Sequence, residues 1–335
     1  MAGEEKEGRK ERLFVKDLRE GDQVQGTFAV RKKEPPRNYR HRVGKFFFMD
    51  VGDRTGDIGV KFWGGTDPEV TVEAYRSIRP GDVVHITGMV AEDKFEDRLI
   101  IKVDEETDEI RPSTSEIRFE DYLPVSTLDL DVLMDRVMGT VAGIEEPHLK
   151  ALLDSFFNDE SFRKEFKRMP SAVVHHHNYI GGNIEHVIGV LDICETLCKV
   201  RPELDRDLLV TGALLHDIGK MSTYTYSTFI DITDEGRFIS HALLGERMVR
   251  AAMDKVEGFP KDLALKLGHM IIKHMGRFED IGVTGMRTLE ALALHLADNA
   301  DAQVKEFAQE IERGRELGSG DWHYSRTFKG PIYLK

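Results

Sequence analysis

The chain has 335 residues and a net charge of −13. That is long enough for two domains with sizeable cores, and acidic enough to exclude indiscriminate coating of duplex DNA. No stretch approaches the roughly 18–20 uninterrupted apolar residues of a membrane-spanning helix. The acidity is uneven: residues 1–105 hold 20 Lys and Arg against 21 Asp and Glu, so nearly all the excess lies beyond them. A surface for nucleic acid is therefore expected in the N-terminal third.

Residues 1–12 mix Glu, Lys and Arg without an apolar core, which predicts a solvated, disordered tail and not a secretory signal. Residues 13–105 are strand-like. Val24 to Val30 alternates with polar residues, and a basic loop follows with Arg31, Lys32, Lys33, Arg37, Arg40, Arg42 and Lys45 around Pro35-Pro36. Phe46 to Val51 and Ile58 to Trp63 flank Asp53-Arg54-Thr55-Gly56, a hairpin turn. Val70 to Ile78 reads as a short helix ended by Pro80-Gly81, and Val83 to Val90 and Leu99 to Val103 add two strands. Five strands with a helix between the third and fourth is the order of a small all-β OB-fold barrel.

Residues 106–127, polar and punctuated by Pro112 and Pro124, read as a linker. From Leu128 the periodicity turns helical. Val132, Leu133, Val137, Val141 and Ile144 form one apolar stripe, and Leu149, Leu152, Leu153 and Phe156-Phe157 the next. An all-α domain is expected over 128–312, and an aromatic C-terminal tail that packs on its own chain over 313–335. Thr223 to Ile239, around Asp234-Glu235-Gly236, predicts a small hairpin over the site. The only cysteines, Cys194 and Cys198, fit free thiols in a reducing cytoplasm.

The helical region is organised around His216-Asp217. His186 lies upstream, and His241, His274 and Asp298 follow on other helical segments. A His-Asp pair alone says little, because neighbours on a helix point about 100° apart and share an ion only at the seam between them. Recurrence changes this: burying so many ionisable groups in one bundle is too costly unless something pairs them. Imidazole nitrogens mixed with carboxylate oxygens suit a first-row divalent metal. His295 and Asp301 each lie three residues from Asp298; either could support a ligand from behind, and His295 is the natural hydrogen-bond partner.

This ligand order resembles the HD superfamily of metal-dependent phosphohydrolases. The run from Phe166 through Met169-Pro170-Ser171 and His175-His176-His177 to Gly181-Gly182-Asn183-Ile184-Glu185-His186 is similar to the entry of the HD domain in YhaM-type 3′-to-5′ exoribonucleases, which also place an OB-fold first. The sequence departs from that family in Asn183 after the Gly pair, in Ser240 before His241, and in Met275 after His274. The resemblance implies that His186, His216, Asp217 and Asp298 hold one metal, that Asp217 bridges to a second, and that His241 and His274 complete it. Mn2+ is the expected ion, with Fe, Co, Ni and Mg as alternatives. Asp217 and Lys220 are the catalytic candidates. Lys220 would steady the phosphate or the leaving oxygen, or else simply sit as a cation at a helix C-terminus. His177 would contact a phosphate or orient a ligand. Phe48-Met49-Asp50 to Trp63 resembles the second and third strands of OB-folds that bind single strands, which implies stacking on Phe46, Phe48 or Trp63 beside Lys61 and the basic loop.

The expected protein is thus a cytoplasmic 3′-to-5′ exoribonuclease acting on single-stranded RNA or DNA, with no membrane partner and compatible with a homo-oligomer. Three alternatives stand beside it: a phosphohydrolase of nucleotides or cyclic nucleotides, a non-enzymatic single-strand-binding adaptor, and a di-iron oxygenase.

Overall fold

The computed structural model describes residues 13–93, 98–114, 117–173, 177–276 and 285–335. The tail expected over 1–12, and His175 and His176, lie outside the described residues. The chain forms two compact units, Met1–Pro124 with Ser227–Phe229, and Val125–Tyr226 with Ile230–Lys335. None of the described helices is long and apolar enough to cross a membrane.

The first unit is a closed barrel. Its strands are β1 (Gln23–Lys33), β2 (Arg37–Asn38), β3 (Lys45–Asp53), β4 (Gly56–Trp63), β5 (Val83–Asp93), β6 (Arg98–Asp104) and β7 (Ile110–Pro112). The order β1-β3-β4-β6-β5 closes through β5 back onto β1, with β4 and β6 parallel and every other pairing antiparallel. Helix α1 (Pro68–Ser77), capped by Asp67 and opened by Pro68, lies between β4 and β5 in the chain. This is the expected OB-fold. Its core follows from the period of two: Phe47, Met49, Val51, Val60 and Phe62 point inward, while Phe46, Phe48, Lys61 and Trp63 take the other face.

Two expectations for this unit change. The basic stretch is partly strand, since β1 runs on through Lys33 and Arg37-Asn38 pairs with Phe46-Lys45. The stretch read as a linker belongs to the barrel: β7 pairs with β5, and Tyr122 is buried against Ala29 and Val83 with its hydroxyl 3.0 Å from Thr27 Oγ1. Three residues are too short for an alternation signal, and Pro112 is tolerated at a sheet edge.

The second unit is helical: α2 (Leu130–Ala142), α3 (Pro147–Phe157), α4 (Glu160–Arg168), α5 (Gly182–Val200), α6 (Arg206–Leu215), α7 (Lys220–Thr223), α8 (Asp234–Phe238), α9 (His241–Met253), α10 (Lys261–Lys273) and α11 (Leu289–Glu316). Side chains of Asp129, Glu146, Asp159, Asp205 and Thr288 cap the N-termini of α2, α3, α4, α6 and α11. Every residue of α6 from Leu208 to Leu215 is buried, which makes it the central element. Val132 departs from its expected stripe and is exposed, whereas Val137 and Val141 are core.

The hairpin predicted over Thr223–Ile239 exists as β8 (Tyr224–Tyr226) paired with β9 (Ile230–Ile232). Its turn is Ser227–Phe229, and Asp234-Glu235-Gly236 instead opens α8, capped by Thr233. At the C-terminus α11 passes the expected domain end to reach Glu316. The aromatic residues then form the hairpin β10 (Trp322–Ser325) and β11 (Gly330–Tyr333), with Trp322 paired to Tyr333.

Candidate metal centre and nucleic-acid face

Each predicted ligand sits where a helix starts, ends or crosses the centre of the second unit. His186 lies in the second turn of α5, and Asp298 projects from α11. His216 caps the C-terminus of α6 and His274 that of α10, so two helix ends with partial negative charge bear on the site. His241 opens α9. Gly219 makes the last approach possible: a Cβ there would lie 2.0 Å from the carbonyl oxygen of His241 and 2.4 Å from the amide nitrogen of Gly245.

These residues converge as two groups. Candidate ligand atoms of His186, His216 and Asp298 lie within 4.8 Å of one another, and so do those of Asp217, His241 and His274. Asp217, a member of the second group, also faces the first. Its Oδ2 is 3.3 Å from His216 Nε2 and 3.6 Å from His186 Nε2. Its Oδ1 is 3.5 Å from His241 Nε2 and 3.6 Å from His274 Nε2. His216 and Asp217 can serve one point because both lie past the regular end of α6.

On the barrel, the strand register sets Phe46 opposite Trp63 and Phe48 opposite Lys61. Tyr39, which sequence reasoning passed over inside the basic stretch, lies parallel to Trp63 at 5.8 Å between ring centroids and 5.3 Å from Phe46. Lys61 Nζ sits 4.2 Å from the Trp63 ring centre, and the Arg42 guanidinium covers Tyr39 at 3.9 Å. Two predicted cations are occupied elsewhere. Arg31 donates to Asp57 at 2.9 Å and to the Tyr122 carbonyl at 2.9 Å. Lys33 donates to the Tyr75 carbonyl at 2.6 Å and to that of Ile78, and burial lowers its pKa. Both are structural, because free carbonyls at the barrel wall and the end of α1 require donors. Lys32, Arg37, Arg40 and Arg42 remain exposed, and Lys45 is half-buried.

Comparison with known proteins matches this division. The HD-domain family model covers residues 183–303, and the model described as an OB-fold nucleic acid binding domain covers residues 29–109. The 3′-5′ exoribonuclease YhaM of Shouchella clausii is 27% identical over 303 residues, which is 89% of each chain. That of Bacillus subtilis is 25% identical over 295 residues, 88% of this chain and 89% of the relative. The chain is thus similar to YhaM exoribonucleases along nearly its whole length, barrel and helical unit together. Among solved structures, Schizosaccharomyces pombe Pot1pC bound to ssDNA overlaps 32% of this chain at 14% identity, and its TM-score of 0.24 carries no weight.

The site in the HD-like helical unit fits divalent cations on structural grounds. His216 Nδ1 is 2.8 Å from the Ala213 carbonyl and His274 Nδ1 is 2.6 Å from that of Ile271. A carbonyl only accepts, so both Nδ1 atoms carry the proton and both Nε2 atoms present lone pairs. Yet His216 Nε2 faces His186 Nε2 at 3.3 Å, and His274 Nε2 faces His241 Nε2 at 3.3 Å. Asp217 Oδ1 is buried and takes no hydrogen bond among the described residues. The lone pairs of His216 and His274 converge beside an orphaned carboxylate oxygen, an arrangement that cations resolve.

The electrostatics agree. Burial opposes the charge of Asp217, but Lys220 and the imidazoles hold its carboxyl well below the usual range. Burial likewise opposes ionisation of Asp298, and the hydrogen bond from His186 outweighs it. Burial, then Lys220 among the neighbouring charges, push His241 down to about 3 in spite of Asp217, and burial also lowers His274. Those two rings are neutral and ready to ligate. For His186, burial is overcome by Asp298 and Asp301, which raise it to about 9.

Three expectations narrow here. Lys220 opens α7 and is not a C-terminal cation; it is buried, with Nζ 2.6 Å from Asp217 Oδ2 and 3.1 Å from Ser171 Oγ. His177 is only 2% exposed and has no surface to offer a strand, which leaves the other of its two expected roles, orienting a ligand. His295 does not support Asp298: its Nδ1 is 2.6 Å from the His274 carbonyl, and Asp301 is the residue that reaches a ligand, at 2.6 Å from His186 Nδ1.

Proposed function

We propose that the chain is a metal-dependent 3′-to-5′ exoribonuclease that shortens single-stranded RNA, Mn2+ being its cation and the cytoplasm its compartment. The observation that carries this is the division of the Asp217 carboxylate, one oxygen to each ligand group. His186, His216, Asp217 and Asp298 would hold one ion, and Asp217, His241 and His274 the other. Bound there, a pair of divalent cations supplies an activated water and Lewis acidity toward phosphoryl oxygens.

The chain's own residues do the rest. Lys220 pins Asp217 Oδ2 and offsets its charge, so we assign it a positioning role and not a phosphate contact. The helix ends at His216 and His274 leave their Nε2 atoms pointing into the site without further adjustment. Water attacks phosphorus in line with the departing 3′-oxygen of the penultimate nucleotide, and a 5′-mononucleotide leaves. On the barrel, Tyr39, Phe46 and Trp63 would stack bases with Phe48 at the margin, while Lys32, Arg37, Arg40, Arg42, Lys45 and Lys61 neutralise phosphates. Polarity and ribose preference are taken from the names of the YhaM relatives.

The test is a digest of a short 5′-labelled RNA with Mn2+. A ladder shortening from the 3′ end is expected. Intact RNA alongside hydrolysis of cyclic nucleotides would replace this reading with that of a nucleotide phosphohydrolase. RNA binding without turnover under any divalent cation would leave an adaptor.

A further inference from the structure

We infer that Asp301, itself held by His177, is a positioning residue that aims His186 at the first metal position. This rests on the metal reading above and adds residues to it. Asp301 Oδ2 lies 2.6 Å from His186 Nδ1. That is too short for two atoms sharing one ion, since ligands at roughly 2.0–2.2 Å from a metal sit about 3 Å apart. The contact is therefore a hydrogen bond from Nδ1–H to the carboxylate. It fixes the orientation of a fully buried ring and aims its Nε2 edge toward Asp298 and His216.

Three separate features maintain that bond. First, His177 Nε2 faces the same Asp301 oxygen at 3.3 Å, and His177 Nδ1 lies 3.0 Å from the Tyr179 hydroxyl. Secondly, His177 holds this place with a left-handed backbone, φ +55°, a conformation that few non-glycine residues adopt. Thirdly, α5 leaves room for the carboxylate only because residue 189 is glycine: a Cβ there would lie 2.0 Å from Asp301 Oδ1. Gly189 is one turn beyond His186 on α5, and Asp301 one turn beyond Asp298 on α11. Each helix thus presents a ligand and, next to it, half of the bracket that orients it. Behind His177, Glu185 is tied to Lys305 at 2.6 Å and to Ser126 at 2.8 Å, which closes the back of the pocket.

The experiment titrates Mn2+ calorimetrically into metal-stripped full-length protein carrying Asp301→Asn, Asp301→Ala, Gly189→Ala or the Ala/Ala double substitution. Asp301→Asn keeps volume and an acceptor, and guards against loss of fold. Outer partners of ligating histidines are worth roughly 10–100-fold in metal affinity, so Asp301→Ala and Gly189→Ala should each weaken Mn2+ binding by about that much. The double variant should be no weaker than Asp301→Ala, because the glycine matters only through the carboxylate. RNA digestion by Asp301→Ala should return at high Mn2+, which a collapsed structure would not allow. Wild-type affinity in both Asp301 variants, or additive losses in the double variant, overturns the inference. His216→Ala separates it from the metal reading: if wild type binds Mn2+ and His216→Ala does not, an unaltered Asp301→Ala removes the bracket alone. A wild type that takes up no Mn2+ removes both.

Discussion

Asp217 is the residue with least freedom to change. Its two oxygens address different ligand groups, so Asp217→Asn should lower RNA turnover by more than the roughly 100-fold that an outer partner commands. Circular dichroism should report an unchanged fold, and near-normal digestion would sink the bridging role. Lys220 is coupled to it in the buried interior. Lys220→Met leaves an uncompensated buried carboxylate in metal-free protein, a change that costs about 3–5 kcal/mol. Urea denaturation should show that loss, and it should shrink when Mn2+ is added. The proton on His186 gives a further measurement. A folded pKa of about 9 lies above the ordinary histidine value, so its stabilisation of the metal-free protein is full below roughly pH 6.5 and disappears as pH rises through 9. A cation must displace that proton. Mn2+ affinity should therefore rise between pH 7 and 9, with about one proton released per site in calorimetry at pH 7. Absence of proton release would mean that His186 does not ligate.

At the scale of elements, the β3–β4 hairpin separates stability from binding by side-chain parity. Phe47 and Phe62 fill the barrel, while Phe46 and Trp63 join Tyr39 outside it. Trp63→Ala and Tyr39→Ala should each weaken single-stranded RNA binding by about 1–3 kcal/mol in fluorescence anisotropy. Neither should affect hydrolysis of a minimal phosphodiester. Phe47→Ala should instead cost about 3–5 kcal/mol of folding stability. If the outer and inner substitutions behave alike, the outer face is no platform. The alternation was plain in the sequence, and the packing of the barrel decided which set faces inward. Tyr39 could not be assigned to either set, because it sits in an irregular stretch without a period and meets Trp63 only through the fold.

For the whole molecule, each unit has its own hydrophobic core, and among the described residues the ligand groups lie in the helical one. Mn2+ at about 100 times its dissociation constant should stabilise that unit by about 2.7 kcal/mol. In calorimetric scans the transition assigned to the helical unit should rise with Mn2+ and fall with chelator, while barrel unfolding stays put. A deletion to separate the functions should end at Pro124 and not at 105, since β7 and Tyr122 belong to the barrel. That deletion should weaken binding of long RNA more than hydrolysis of a minimal phosphodiester.

The sequence by itself determined the order of the two folds and the identities of the six candidate ligands. Both are local information: a period of two changing to 3.6, and metal-binding chemistry recurring on separate helical segments. Tertiary structure decided which neighbours serve those ligands. His295 and Asp301 are equivalent by spacing from Asp298, yet only Asp301 meets His186, because α5 and α11 approach each other across Gly189. The packing of the barrel likewise turned Arg31 and Lys33 from groove cations into donors for backbone carbonyls. A side chain's chemistry is written at its own position, but its partner is set by which other segment folding brings within 3 Å.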